Sequence, residues 1–534
     1  MGKKVLVIGL DGFTWKTLDY LKNDLKMENL EKLRENSAWG KLESTLPPNT
    51  IPAWISFATG CNPGKHGVFD FLKAKGDLSR ITPVSSKDIK ADAVQQIIRR
   101  NGMKSVIFNL PGSTPALTED ITIGSFLSAG KDWFYPPDLQ KIPEIKCTPR
   151  MTREGALILQ NPNTAVKNLL QMLDWRIRLG KKLFMEKWDF YFLLVTESDP
   201  LQHIVFEQIK KGKLKGPLKR SVIELYKKMD EALGWYMDNM DDETYLIVVS
   251  DHGFESYEYV FCLKNFLREK NLLEFYRAGE KIPSYLKEKE TAKGSRLGLN
   301  IAPIINLMYK QKKTRGLLDF ATSAYKRIDS ITPLSRYVSV LGFRMHVNPA
   351  KSIAMPLTVD GYGIYINKKS KYENGILGDE AGKLEEKIIT MLKNEKSPFT
   401  GKNPFRNVYR AKELYFGPYV GNGPDILIEL DDHAIMGDAH FAGTYYKTIK
   451  NYHDRYGIFV ISGPGVKRGR ITDRRLIDIA PTVLYMLGIA VPSHMDGKPI
   501  NDAFEKPKEV KISDSSKLLE LREKIKKLKK ESKG

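Results

Sequence analysis

At 534 residues, 42% of them hydrophobic, the chain exceeds one ordinary domain and can build a large core. No run reaches the roughly eighteen uninterrupted apolar residues of a membrane span, and the N-terminus enters a charged strand rather than a signal peptide, so a soluble, cytoplasmic protein is expected. Cys61, Cys147 and Cys262 form no CxxC pair, which argues against a disulfide framework, an iron–sulfur cluster or a zinc ribbon, and the net charge of +21 points to no specific nucleic acid, since lysine excess is also a habit of whole proteomes.

The first strand signal, Val5-Leu6-Val7-Ile8-Gly9-Leu10, ends in an acid, Asp11. A helical stretch is expected at 15–36. In Leu46-Pro47-Pro48-Asn49-Thr50-Ile51-Pro52 the early prolines keep the chain extended and Pro52 suits a first helical turn, which predicts Thr50 as an N-cap. A hydroxyl there faces free N–H groups and the positive end of the helix dipole, so Thr50 is the candidate nucleophile, although alone it also reads as an ordinary cap. The following Gly60-Cys61-Asn62-Pro63-Gly64-Lys65-His66 is one residue short of a P-loop and has His where Ser or Thr must hold magnesium. Cys61 is read as packing and His66 as support for the turn.

A helix near 91–100, a strand at 105–108 and a long helix near 163–186 continue the alternation. The strand 191–195 leads into Asp199-Pro200-Leu201-Gln202-His203, where Pro200 fits the first helical position and the four-residue spacing puts Asp199 and His203 near one face. The run Tyr245-Leu246-Ile247-Val248-Val249-Ser250 closes on Asp251-His252-Gly253. Acids at three strand ends imply one metal centre, because a parallel α/β sheet puts its chemistry there.

The expected fold is α/β, a doubly wound, mostly parallel sheet sandwiched by helices, with a discontinuous catalytic core at 1–255 and 346–504. An inserted cap is expected at 256–345, with an apolar run at 297–309 and the basic Lys310, Lys312, Lys313 and Arg315. Sheet-like segments return at 363–366, 425–430 and 458–462, followed by a helix at 478–487 that ends at Gly488. Residues 505–534 carry eleven basic and six acidic residues with a leucine stripe, and read as a basic amphipathic tail. Cap and tail suggest weak peripheral contact with anionic membranes; buried cap core and a homo-oligomer through the tail are the competing readings. Among the late histidines, His453 is preferred over His433 and His440 because it lies nearest the strand 458–462, while His346 and His494 lack acidic or strand-end context.

Taken in order, Asp11, Thr50, Asp199, His203, Asp251, His252 and His453 make the chain similar to the alkaline phosphatase superfamily, in its type I phosphodiesterase and nucleotide pyrophosphatase branch. The resemblance implies two divalent ions, one held by Asp11, Thr50, Asp251 and His252 and the other by Asp199, His203 and His453. Nitrogen ligands at both favour Zn²⁺, with Mn²⁺ suited to the same set. The implied activity is hydrolysis of phosphodiester or pyrophosphate bonds in a phosphorylated small-molecule or lipid-like substrate, through a phosphothreonine at Thr50. The resemblance also implies an Asn three residues after the nucleophile; here Ala53 stands there, and Asn49 is read as its substitute. That departure keeps phosphomonoesterase and phosphomutase chemistry as alternatives, and a phosphate- or anionic-surface-binding relative as the non-enzyme one. The Cys/Ser-x-Pro-x-Arg signature of related sulfatases is absent.

Overall fold

The computed structural model describes residues 3–125, 128, 133–146, 161–276, 347–357, 361–437 and 443–514. Strand Lys4–Leu10 alternates between two cores: Val5 and Val7 pack with Phe192, Leu194 and Ile247 on one face, Leu6, Ile8 and Leu10 with Tyr191, Leu193 and Val248 on the other. A strand buried on both faces needs both side-chain sets apolar, which is why these strands read as unbroken hydrophobic runs. Five strands run parallel at the centre, in the order Thr244–Val249, Lys4–Leu10, Phe190–Val195, Ser105–Phe108 and Ile121–Ile123, within a ten-stranded sheet. The helices Pro162–Phe184, Gly216–Asn239 and Glu28–Glu35 cover one face, and Thr50–Thr59, Val94–Arg100 and Ile479–Leu487 cover the other. Gly9 permits the closest approach: a Cβ there would lie 2.7 Å from the Trp54 ring, one turn beyond Thr50.

The helix expected at 15–36 is two helices, Trp15–Leu21 and Glu28–Glu35. Asn23 and Asp24 favour a turn, and the break lets the second helix start against Asp230, whose carboxylate accepts from Asn29 N–H at 3.0 Å and Leu30 N–H at 2.9 Å.

At Gly253 the chain leaves the large sheet. Gly253–Phe261 pairs antiparallel with Tyr445–Asp454 and parallel with Ala434–Met436. Gly363–Ile366 and Ile426–Leu430 pair with each other in a separate four-stranded sheet. These strands share one core around Val260, Phe261, Ile364, Ile388, Ile426 and Met436. The boundary read at 255/256 therefore falls inside a strand, and 363–366 and 425–430 lie in this second body rather than in the large sheet; apolar pattern says that a strand is buried, not which sheet receives it. The strand Tyr456–Ser462 does join the large sheet, antiparallel to Thr244–Val249. Of the expected cap, only 256–276 is described; Cys147, the run 297–309, Lys310, Lys312, Lys313 and Arg315, and the tail beyond 514 lie outside the described residues. Among the described residues no helix is long and apolar enough to cross a membrane.

Candidate active site

Asp11 follows the first strand, and Gly12 after it turns the chain with φ +67°. A Cβ at Gly12 would meet Asp199 Oδ1 at 3.2 Å and His252 Cε1 at 3.3 Å, so only glycine suits both the angle and the space. Gly12 N–H donates to Asp251 Oδ1 at 3.2 Å. The helix Ser198–Lys210 is stitched to the same turn: Ser198 Oγ donates to Asp11 O and Gln202 Nε2 to Gly12 O, both at 2.7 Å. Strand ends and helix start thus hold Asp11, Asp199 and Asp251 together, all buried.

Two cap expectations shift. Asn49, not Thr50, is the N-cap of Thr50–Thr59, and its side chain makes no cap bond; Thr50 is the first helical residue. Pro52 then sits third, still within the first turn where a missing N–H is tolerated, and Ala53 N–H donates to Asn49 O at 3.0 Å. Freed from capping, the Thr50 hydroxyl lies 3.4 Å from His252 Nε2, beside the helix's first N–H groups, which have no intrahelical partner. Pro200 is likewise third rather than first, because the helix begins at Ser198.

The three imidazoles share one arrangement. Nδ1 of His203 lies 3.0 Å from Asn451 O, Nδ1 of His252 3.0 Å from Gly253 O, and Nδ1 of His453 2.9 Å from Pro48 O. A carbonyl oxygen only accepts, so each Nδ1 carries the proton and each Nε2 turns a lone pair inward. Inward they meet other acceptors. His203 Nε2 is 3.2 Å from His453 Nε2, His453 Nε2 is 3.1 Å from Asp199 Oδ1, and His203 Nε2 is 3.5 Å from Asp199 Oδ2. His252 Nε2 is 3.3 Å from Asp251 Oδ2 and 3.6 Å from Asp11 Oδ1, and among the described residues Asp251 Oδ2 has no hydrogen-bond donor. Lone pairs facing lone pairs in a buried site are unfavourable unless cations lie between them. The donor set, carboxylate oxygen with imidazole nitrogen, fits divalent metal ions.

The donor atoms of Asp11, Asp251 and His252 lie within 4.8 Å of one another, and so do those of Asp199, His252 and His453. His252 consequently borders both groups, with its ring stacked on His453 at 3.7 Å, so the division into two ligand sets is less sharp than expected. Burial dominates the electrostatics. It pushes the Asp251 carboxyl up to about 7, His203 down to about 4 and His252 well below its usual value. At Asp199 burial opposes ionisation, yet the neighbouring His203 and His453 hold its carboxyl below the usual range; His453 is raised because Asp199 outweighs burial.

His66 lies apart from this cluster. Its Nδ1 accepts from Val68 N–H at 3.2 Å and its Nε2 is 2.8 Å from Ser56 Oγ, so both nitrogens serve the turn after the Thr50 helix. His433 is at the surface, 3.7 Å from Glu258, and His494 sits by Lys65, whose ammonium donates to its carbonyl. His346 and His440 lie outside the described residues. Burial pushes the Cys61 thiol up to about 12, against a nucleophilic role. Pattern reading missed Gly12, Asn451 and the carbonyls of Pro48 and Gly253; a carbonyl carries no sequence signal, and Asn451 is one asparagine in a strand.

A family model described as type I phosphodiesterase / nucleotide pyrophosphatase matches residues 5–313. None of the curated proteins matches the chain in sequence. Among solved structures, murine ectonucleotide pyrophosphatase / phosphodiesterase 5 is 13% identical, with a TM-score of 0.50 over 94% of this chain and 100% of that one. An inactive Thr→Ala variant of the murine protein in complex with AMP gives 0.51 at the same identity and coverage. Wild-type alkaline phosphatase PafA gives 0.47 at 14% identity, over 94% of this chain and 99% of its own.

Proposed function

The chain belongs to the type I phosphodiesterase / nucleotide pyrophosphatase family, and from that premise we propose that it cleaves phosphodiester or pyrophosphate bonds through a phosphothreonine at Thr50 on a two-metal centre. Membership makes it a phosphoester hydrolase; the finer reading is carried by one observation, the three inward Nε2 lone pairs that converge with three buried carboxylates beside a threonine hydroxyl. Asp11, Thr50, Asp251 and His252 hold one ion, and Asp199, His203 and His453 the other, with Zn²⁺ first and Mn²⁺ second. Bound there, the ions supply Lewis acidity that lowers the pKa of the attacking hydroxyl and offsets phosphoryl charge.

The chain's own part is positional. The Thr50 hydroxyl lies 3.4 Å from His252 Nε2, at the first residue of its helix, so Oγ1 faces the site. Oγ1 gives up its proton to solvent and bonds to phosphorus as the bond to the leaving group breaks, and the leaving group takes a proton from solvent. The helix N-terminus offers N–H groups and positive potential to the phosphoryl oxygens. Water then attacks the phosphothreonine and restores the hydroxyl, releasing the second product.

Thr50→Ala should lower turnover by at least about 10³-fold while two ions per chain remain by elemental analysis. Near-normal turnover in metal-loaded Thr50→Ala would refute the nucleophile. Ala53, standing where the resemblance implies Asn, is the ground for a second reading as a monoesterase. Comparing p-nitrophenyl phosphate, bis-p-nitrophenyl phosphate and thymidine monophosphate p-nitrophenyl ester separates the two. The ester is the nucleotide-like probe, chosen because the murine structure holds AMP.

A further inference from the structure

We infer that Asn451 is a positioning residue for His203, acting through the backbone of the helix that carries it; the inference rests on the two-metal reading above. The Asn451 carboxamide reaches two ends of one helical rung. Its Nδ2 donates to His203 O at 3.2 Å, and its Oδ1 accepts from Glu207 N–H at 3.0 Å. In a regular helix those two groups pair with each other, four residues apart. The carboxamide supplies one acceptor and one donor at that spot, and a backbone N–H can only donate, so the orientation of the amide is fixed by its partners. Ser256 Oγ donates to the same Oδ1 at 2.7 Å, and Asn451 O accepts from His203 Nδ1.

One side chain therefore joins three elements of the site: the helix bearing Asp199 and His203, the strand Gly253–Phe261 that leaves Asp251 and His252, and the strand Tyr445–Asp454 that bears His453. His203 and His453 must meet with their Nε2 atoms 3.2 Å apart although they come from different elements. Asn451 sets the height of the helix against the strand at that meeting point. Alanine offers neither group; aspartate fills the same volume but cannot donate to His203 O.

The test uses the full chain as Asn451→Ala and Asn451→Asp, titrated calorimetrically with Zn²⁺ and with Mn²⁺. Wild type should take two ions. In both variants one ion should bind as in wild type, and the other should weaken by about 10–100-fold, the usual effect of losing a group that orients a ligand. Turnover lost at limiting metal should return when metal is raised. A crystal structure of metal-free Asn451→Ala should show His203 displaced from His453. Unchanged affinity for both ions, equal weakening of both, or an unmoved His203 would overturn the inference. If wild type takes fewer than two ions, the two-metal reading fails instead, and the position of His203 in the variant structure still decides the role of Asn451.

Discussion

A single methyl group at Gly12 tests how tightly the acceptor cluster is built. Its left-handed backbone costs any other residue about 1–2 kcal/mol, and the added carbon would press on Asp199 Oδ1 and His252 Cε1. Both neighbours turn donor atoms toward the same space, so the damage should appear as lost metal affinity more than lost fold. Gly12→Ala is expected to weaken metal binding and lower turnover by about 10–100-fold, with the melting temperature down by only a few degrees; metal titration as tight as wild type would sink this account. At this scale legibility depended on whether a residue's chemistry lies in its side chain. Asp11, Asp251 and His252 could be found because strand ends announce them. Asp199 and His203 could be paired because helical spacing puts i and i+4 on one face, and they lie 3.5 Å apart. Pro48 and Gly253 act through carbonyl oxygens, which every residue has.

The helix Thr50–Thr59 is anchored at its far end by the turn holding His66, and that anchor carries its own pH dependence. Burial lowers His66 from 6.5 to about 3 in the folded chain. The unfolded chain takes up the proton first, so this contribution to stability is complete above pH 6.5 and declines as pH falls toward 3, by about 1.4 kcal/mol per unit. His203 and His252 are also depressed, so wild type must be compared with a variant. The stability advantage of wild type over His66→Gln, from urea unfolding at pH 7 and pH 4.5, should shrink on acidification; a constant difference would mean that His66 does not titrate as its burial requires. Elements were legible where burial on both faces forces continuous apolar runs, as in Lys4–Leu10, Phe190–Val195 and Thr244–Val249. They were less legible at their ends. The break after Leu21 depends on Asp230, some two hundred residues away, and the helix starts at Thr50 because the extended backbone ends at Asn49. Sheet membership of 363–366 and 426–430 depends on their partners, which no local pattern encodes.

At the scale of the molecule the site lies where two cores meet. Asp11 and Asp251 follow strands of the large sheet and Asp199 lies on the helix after a third, whereas His453 rides on Tyr445–Asp454 of the smaller one, which runs straight into Tyr456–Ser462 of the large sheet. Arg455 at that crossing binds Glu43 at 2.7 Å and Glu429 at 2.8 Å, one acid from each body. Ions held between Asp199 and His453 would close the same seam with far stronger bonds. They would also relieve three buried carboxylates that face imidazole lone pairs. Binding to the folded chain alone adds about 2.7 kcal/mol per site when free metal is a hundred times its Kd. Scanning calorimetry should therefore place the unfolding of Zn²⁺- or Mn²⁺-loaded protein several degrees above that of protein in chelator. His453→Ala should keep only the part due to the ion at Asp11, Asp251 and His252, because the seam has lost its one ligand from the smaller sheet. A wild-type transition at the same temperature with and without metal would show that the cluster does not hold ions, and with that the lone pairs at its centre would need another explanation.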